Sequence, residues 1–205
     1  MKNNLITLIS LFILTSISSC DIASLLVKRE AQKNALEKQA EEKRRPSTKA
    51  QQAAEKFYDR GIEQYNNMEY DEALASVYEA VRLDDTNMEY LFLKSIVLTE
   101  LEQYESALMD LNYIQSNIGE DINIYYQLGV VFYRKGDIQT SLEYLKTCHS
   151  MDTTNFSLQQ EIAVIYYEEN KPDSARLFLK KAIDLHPELM QTDTLARILF
   201  PGPFF

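Results

Sequence analysis

The sequence repeats itself every 34 residues, four times without an insertion, from Ala54 to Leu189. Residues 54–87, 88–121, 122–155 and 156–189 align column by column. One column holds Gly61, Ser95, Gly129 and Ala163, and another Ala73, Ala107, Ser141 and Ala175. A third, mostly small, reads Ala80, Ile114, Cys148 and Ala182. Large residues recur as regularly, in Phe57, Leu91 and Tyr125 and again in Tyr70, Tyr104 and Ile138. A fixed period of this length builds a stack of helical hairpins, each leaving an apolar face for its neighbour to cover. Such a stack seldom encloses the pocket that catalysis needs.

The small columns have a physical reason. Glycine inside a helix costs about 1 kcal/mol relative to alanine, so Gly61 and Gly129 mark places where two backbones approach closely. Ala73, Ala80, Ala107, Ala163, Ala175 and Ala182 are read as the rest of that helix–helix contact. Asn66-Asn67 and Gly136-Asp137 make short turns, and Lys171-Pro172-Asp173 stops one helix and starts the next. Cys148 sits in a small column and reads as a buried hydrophobe.

The stretch from Ala54 to Asn87 and the segment Tyr126 to Asp137, YQLGVVFYRKGD, resemble the tetratricopeptide repeat family. The resemblance covers 136 of the 205 residues, with looser matches at Ser95, Leu101-Glu102-Gln103 and Gln159. It implies an all-α fold, a right-handed α-solenoid of four helix hairpins. A cap helix over Met190–Phe200 follows, with Leu195, Ile198 and Leu199 on one side.

In this family the first helix of each repeat lines a concave surface that binds partner segments. The columns so placed are Tyr58, Phe92, Tyr126, Gln160; Ile62, Ile96, Val130, Val164; and Tyr65, Thr99, Tyr133, Tyr167. Members that grip a peptide carboxylate use Lys, Arg and Asn there. Here Arg134 is the one well-placed cation, so the groove is expected to suit an apolar or aromatic segment, with tyrosine hydroxyls for its backbone. The Ile/Val column has a second reading, as packing between repeats.

The first residues carry another message. Lys2 precedes an apolar run, Leu5 to Ile17, too short for a comfortable span of roughly 20 residues. Ile17-Ser18-Ser19-Cys20 resembles the bacterial lipobox. The resemblance implies a signal peptide over 1–19 and an acylated Cys20 as the mature N-terminus. Several acyl chains would anchor stably where one would not. The protein is then expected in the bacterial cell envelope, tethered to the inner or outer membrane and facing the periplasm or the cell surface.

Residues 20–53 link anchor to array. From residue 21 they carry eight basic and five acidic residues, with helix-favouring composition up to Arg45 and a break at Pro46-Ser47-Thr48. A helix over 22–45 would be a charged stalk on the order of 35 Å long. The repeat block is the reverse, with 25 acidic and 11 basic residues. Phosphate binding needs a basic surface, so nucleic acid is not expected as a partner.

No catalytic constellation appears. His149 and His186, the two histidines, have no metal-ligand partner at helical spacing, and no glycine loop could cradle a phosphate. No cofactor, metal or enzymatic activity is expected. Pro201-Gly202-Pro203 ends any helix, and Phe204-Phe205 would fold back or dock on a partner. Two functions fit these features: a lipid-anchored scaffold binding protein partners in the envelope, or a surface lipoprotein that captures glycan or peptide nutrients. The absence of tryptophan counts against sugar stacking and favours the scaffold.

Overall fold

Helix formation starts at Thr48, where the sequence writes a Thr-x-x-Gln capping box. The Thr48 hydroxyl accepts from the Gln51 backbone N–H, and the Gln51 side chain accepts from the Thr48 N–H at 2.9 Å. The computed structural model describes residues 48–200. Their regular structure is helical throughout: α1 (Lys49–Asn66), α2 (Tyr70–Leu83), α3 (Met88–Glu100), α4 (Tyr104–Ile118), α5 (Ile122–Lys135), α6 (Ile138–Met151), α7 (Phe156–Glu168), α8 (Pro172–Leu185), α9 (Leu189–Thr192) and α10 (Thr194–Leu199). The signal segment, Cys20, the stalk and the Phe204-Phe205 tail lie outside the described residues. Residues 49–53, assigned from sequence to the linker, belong to α1 because the cap places the helix start ahead of the first repeat.

The chain divides into two compact units after Asn87. In the first, α1 packs on α2. Ala54, Gly61 and Tyr65 of α1 and Ala73, Val77 and Ala80 of α2 are buried. The Ser76 hydroxyl donates to Gln64 Oε1 at 2.6 Å across the hairpin.

The second unit contains three hairpins, α3/α4, α5/α6 and α7/α8. Successive hairpins meet where α4 packs on α5 and α6 on α7. Ala107, Gly129, Ala163, Ala175 and Ala182 are all buried. A Cβ added at Gly129 would lie 2.8–2.9 Å from the Leu145 side chain, so α5 approaches α6 more closely than an alanine allows without a shift. Cys148 is fully buried, its thiol 3.5 Å from the Ile122 carbonyl.

All four hairpins close with one backbone device. Met68, Glu102, Gly136 and Asn170 share a repeat column and all have positive φ, at 63°, 59°, 88° and 56°. In each, the N–H of that residue and of the next bond back to the helix end, as in Met68 to Tyr65 and Glu69 to Gln64. These are Schellman closures, which satisfy the last carbonyls of the first helix.

The cap departs from the expected single helix. Asp193 is extended and accepts from the Ala196 N–H at 2.8 Å, so it ends α9 and starts α10. Leu195 and Leu199 are buried together with Ala196, whereas Ile198 is exposed. Around the helix axis it lies about 60° from Leu195 and about 100° from Leu199, at the border of the inward side.

Candidate functional site

The expected binding columns lie on the first helices, and they do not share one environment. In the first unit Tyr58 and Ile62 are half-buried, but Tyr65 is buried, its ring 5.6 Å from that of Tyr70. Tyr65 is therefore part of the hairpin interior rather than a partner contact. In the second unit Ile96 and Thr99 are buried at 3% and 1% exposure. Ile96 leaves the candidate surface for the same reason, as the packing reading of its column anticipates.

What remains in the second unit is a row from three consecutive first helices. Phe92 on α3, Tyr126, Val130 and Tyr133 on α5, and Gln160, Val164 and Tyr167 on α7 are all half-buried. Polar bridges between the helices hold this row. Arg134 grips Glu100 with both terminal nitrogens at 3.1 Å. The Tyr126 hydroxyl donates to Glu161 at 3.0 Å and that of Tyr133 to Glu168 at 2.7 Å. Gln160 donates to Asp193 at 2.6 Å, tying α7 to the cap.

These bridges change two expectations. Arg134 is not a groove cation awaiting a carboxylate, because the bidentate pair with Glu100 already engages both terminal nitrogens and only a buried Nε is left without a partner. The Tyr126 and Tyr133 hydroxyls spend their single proton on glutamates and can only accept from a ligand. Burial, and then the Glu168 carboxylate, push the Tyr133 phenol well above its usual range, so it stays protonated and its bond persists. Sequence reading missed the ladder, although its signal recurs: tyrosine to glutamate at an offset of 35 residues, twice.

A second polar feature sits inside the α3/α4 hairpin. Lys94 Nζ lies 3.0 Å from Asp110 Oδ1, with both side chains largely buried, and Asp110 Oδ2 is shielded without a hydrogen-bond partner. Burial raises the Asp110 carboxyl above its ordinary range, against the pull of Lys94. The histidines are dispersed. His149 Nε2 is 3.4 Å from Lys181 Nζ, and its ring meets Phe178 edge-on. Burial, then Lys181, lowers its pKa, with Asp152 opposing. His186 contacts Glu188 at 2.9 Å. Among the described residues no three His, Cys, Asp or Glu gather to hold a metal ion, and no helix is long and apolar enough to cross a membrane.

Known proteins bear on this architecture. The tetratricopeptide repeat family profile matches residues 122–155 and 156–189, the third and fourth copies. A TPR repeat-containing protein of Methanocaldococcus jannaschii is 21% identical over 140 residues, 67% of this chain, which spans only 24% of that relative's length. Among solved structures, MamA (residue 41 to the end) from Desulfovibrio magneticus superposes with a TM-score of 0.60 at 19% identity, covering 82% of this chain and 93% of that solved chain. PilF of Pseudomonas aeruginosa superposes at 0.61 with 10% identity, covering 74% of this chain and 69% of PilF. TTC0263, a TPR protein of Thermus thermophilus, superposes at 0.58 with 19% identity, covering 72% and 81%. No enzymatic family is indicated. Residues 122–189 thus match tetratricopeptide repeats, and the all-α fold of the described residues is a tandem helix-hairpin array like those of the solved repeat structures.

Proposed function

We propose that this protein is a membrane-anchored scaffold of the bacterial cell envelope that binds an apolar or aromatic segment of a partner protein. One observation carries the reading: the half-buried row Phe92, Tyr126, Val130 and Tyr167, presented by the first helices of three successive hairpins and braced by polar bridges. A braced apolar row can take up a segment without first being ordered, which lowers the cost of binding. The anchor is the lipobox-like Ile17-Ser18-Ser19-Cys20, and acylation there would hold the repeats at a lipid surface.

Phe92→Ala and Tyr126→Ala, each followed by thermal melting and by co-purification from detergent-solubilised membranes, test the binding face. Loss of the co-purifying partner with an unchanged melt supports it. A collapsed melt would return the residue to the core, where aromatic truncation costs about 3–5 kcal/mol. For the anchor, Cys20→Ser should release the protein from membranes, and wild-type protein lacking labelled palmitate would refute acylation.

A further inference from the structure

The outward face of α4 differs from the corresponding faces of α6 and α8. Met109 and Tyr113 on it are 73% and 52% exposed. The other exposed residues from 106 to 117 are Ser106, Asn112, Ser116 and Asn117, none of them charged. Glu105 at its edge is taken by Lys135 at 3.1 Å. By contrast, α6 exposes Glu143 and Lys146, and α8 exposes Asp173, Arg176, Lys180, Lys181 and Asp184.

We propose that this face pairs with the same face of a second copy of the chain, about a two-fold axis. Met109 and Tyr113 are four residues apart and lie one above the other on the helix. Two such helices meeting antiparallel set Met109 of each copy against the Tyr113 ring of the other, a favourable thioether–aromatic contact. Charge selects the occupant. The chain carries a net charge of −10, so two copies repel wherever acidic faces approach, and an uncharged face is where they can touch. A basic partner would find on this face a single carboxylate, Glu105, which is already paired with Lys135.

Covering the face also strands few polar groups. The Ser116 hydroxyl donates to the Asn112 carbonyl at 2.8 Å, and the Asn117 amide donates to the Tyr113 carbonyl at 2.7 Å. Both are satisfied within their own helix, so losing water costs them little. One helix face is well short of the roughly 1,600 Å² buried in a standard stable interface, so the dimer is weak and concentration-dependent.

Sedimentation equilibrium of the full chain in density-matched non-ionic detergent tests this. Raising salt from about 0.1 M to about 1 M shortens the screening length from about 10 Å to about 3 Å and should strengthen association by relieving net repulsion. Met109→Asp places like charges across the axis and should weaken association by about tenfold or more. Leu177→Asp, at the equivalent exposed position of α8, should leave it unchanged. Circular dichroism melts would show both variants folded, since each side chain is more than half exposed. A monomer at all concentrations and salts, or a dimer indifferent to Met109→Asp, would overturn the proposal.

Discussion

The second and third hairpins share one 34-residue frame but fill it with different chemistry. In the third, Phe132 and Tyr144 stack across the hairpin with centroids 5.6 Å apart and planes 8° from parallel. Tyr166 and Phe178 do the same in the fourth, at 5.7 Å. The same columns of the second hairpin hold Leu98 and Asp110, and Asp110 reaches Lys94 instead. Lys94 stands in the column of Leu128 and Ile162. The third hairpin turns on a glycine, with Asp137 capping the next helix through the Thr140 N–H. The second turns on Glu102 and has no side-chain cap at Gln103. The backbone path tolerates an ion pair where it elsewhere stacks two rings, as long as the space is filled and the charges are matched. The family profile matches only the copies built in the apolar way.

The sharpest way to break this comparison is to remove one charge. Lys94→Leu should strand Asp110 in a buried site and cost about 3–5 kcal/mol, read from denaturant melts. Adding Asp110→Tyr imports the third hairpin's residues at both columns and should restore most of that loss. If the double variant is no better than the single, the two hairpins are not chemically interchangeable. Next, Gly129→Leu should overpack α5 against Leu145 and cost about 1–3 kcal/mol. An unchanged melting temperature would contradict the close approach seen there.

The turns sharpen the comparison from the stabilising side. Glu102→Gly relieves a left-handed backbone that costs a side-chain-bearing residue about 1 kcal/mol, so it should raise stability by up to that amount. Gly136→Ala should lower it by a similar amount, and equal signs in the two melts would defeat the argument. The smallest effect is at His149. Its folded pKa lies below the ordinary value near 6.5. The neutral ring's contribution is therefore present above about pH 6.5 and lost as pH falls through the lower, folded value. Wild type should lose more stability than His149→Gln between about pH 7.5 and pH 5, and parallel losses would exclude the effect.

Much of this was legible in the sequence. The frame, the small columns and the turn positions follow from a period that one chain displays four times. Tyr65 and Ile96 were misplaced because a column shows that a residue faces a neighbour, not whether that neighbour covers it. The Lys94–Asp110 pair was illegible because its members are 16 residues apart, on different helices, and meet only when the hairpin closes. The tyrosine–glutamate ladder needed the lateral offset between successive first helices, which no single repeat contains. The break at Asp193 had a local signal, Thr192-Asp193-Thr194, three weak helix formers with a preferred N-cap residue among them, set between helix-favouring residues that suggest one continuous helix. The Asp193 side chain takes the Ala196 N–H and so divides them.

Cys148 turns the interior of the third hairpin into something that can be timed. Burial drives its thiol up to about 12, so almost none is thiolate at neutral pH while the fold is closed. Only when α6 lifts from Ile122 does the sulfur meet water and recover ordinary reactivity. The rate at which a thiol reagent labels it is then a stopwatch on local opening of that seam. At reagent concentrations low enough that reclosing outpaces labelling, the ratio of this rate to that of an unstructured thiol gives the opening free energy, resolved to one hairpin.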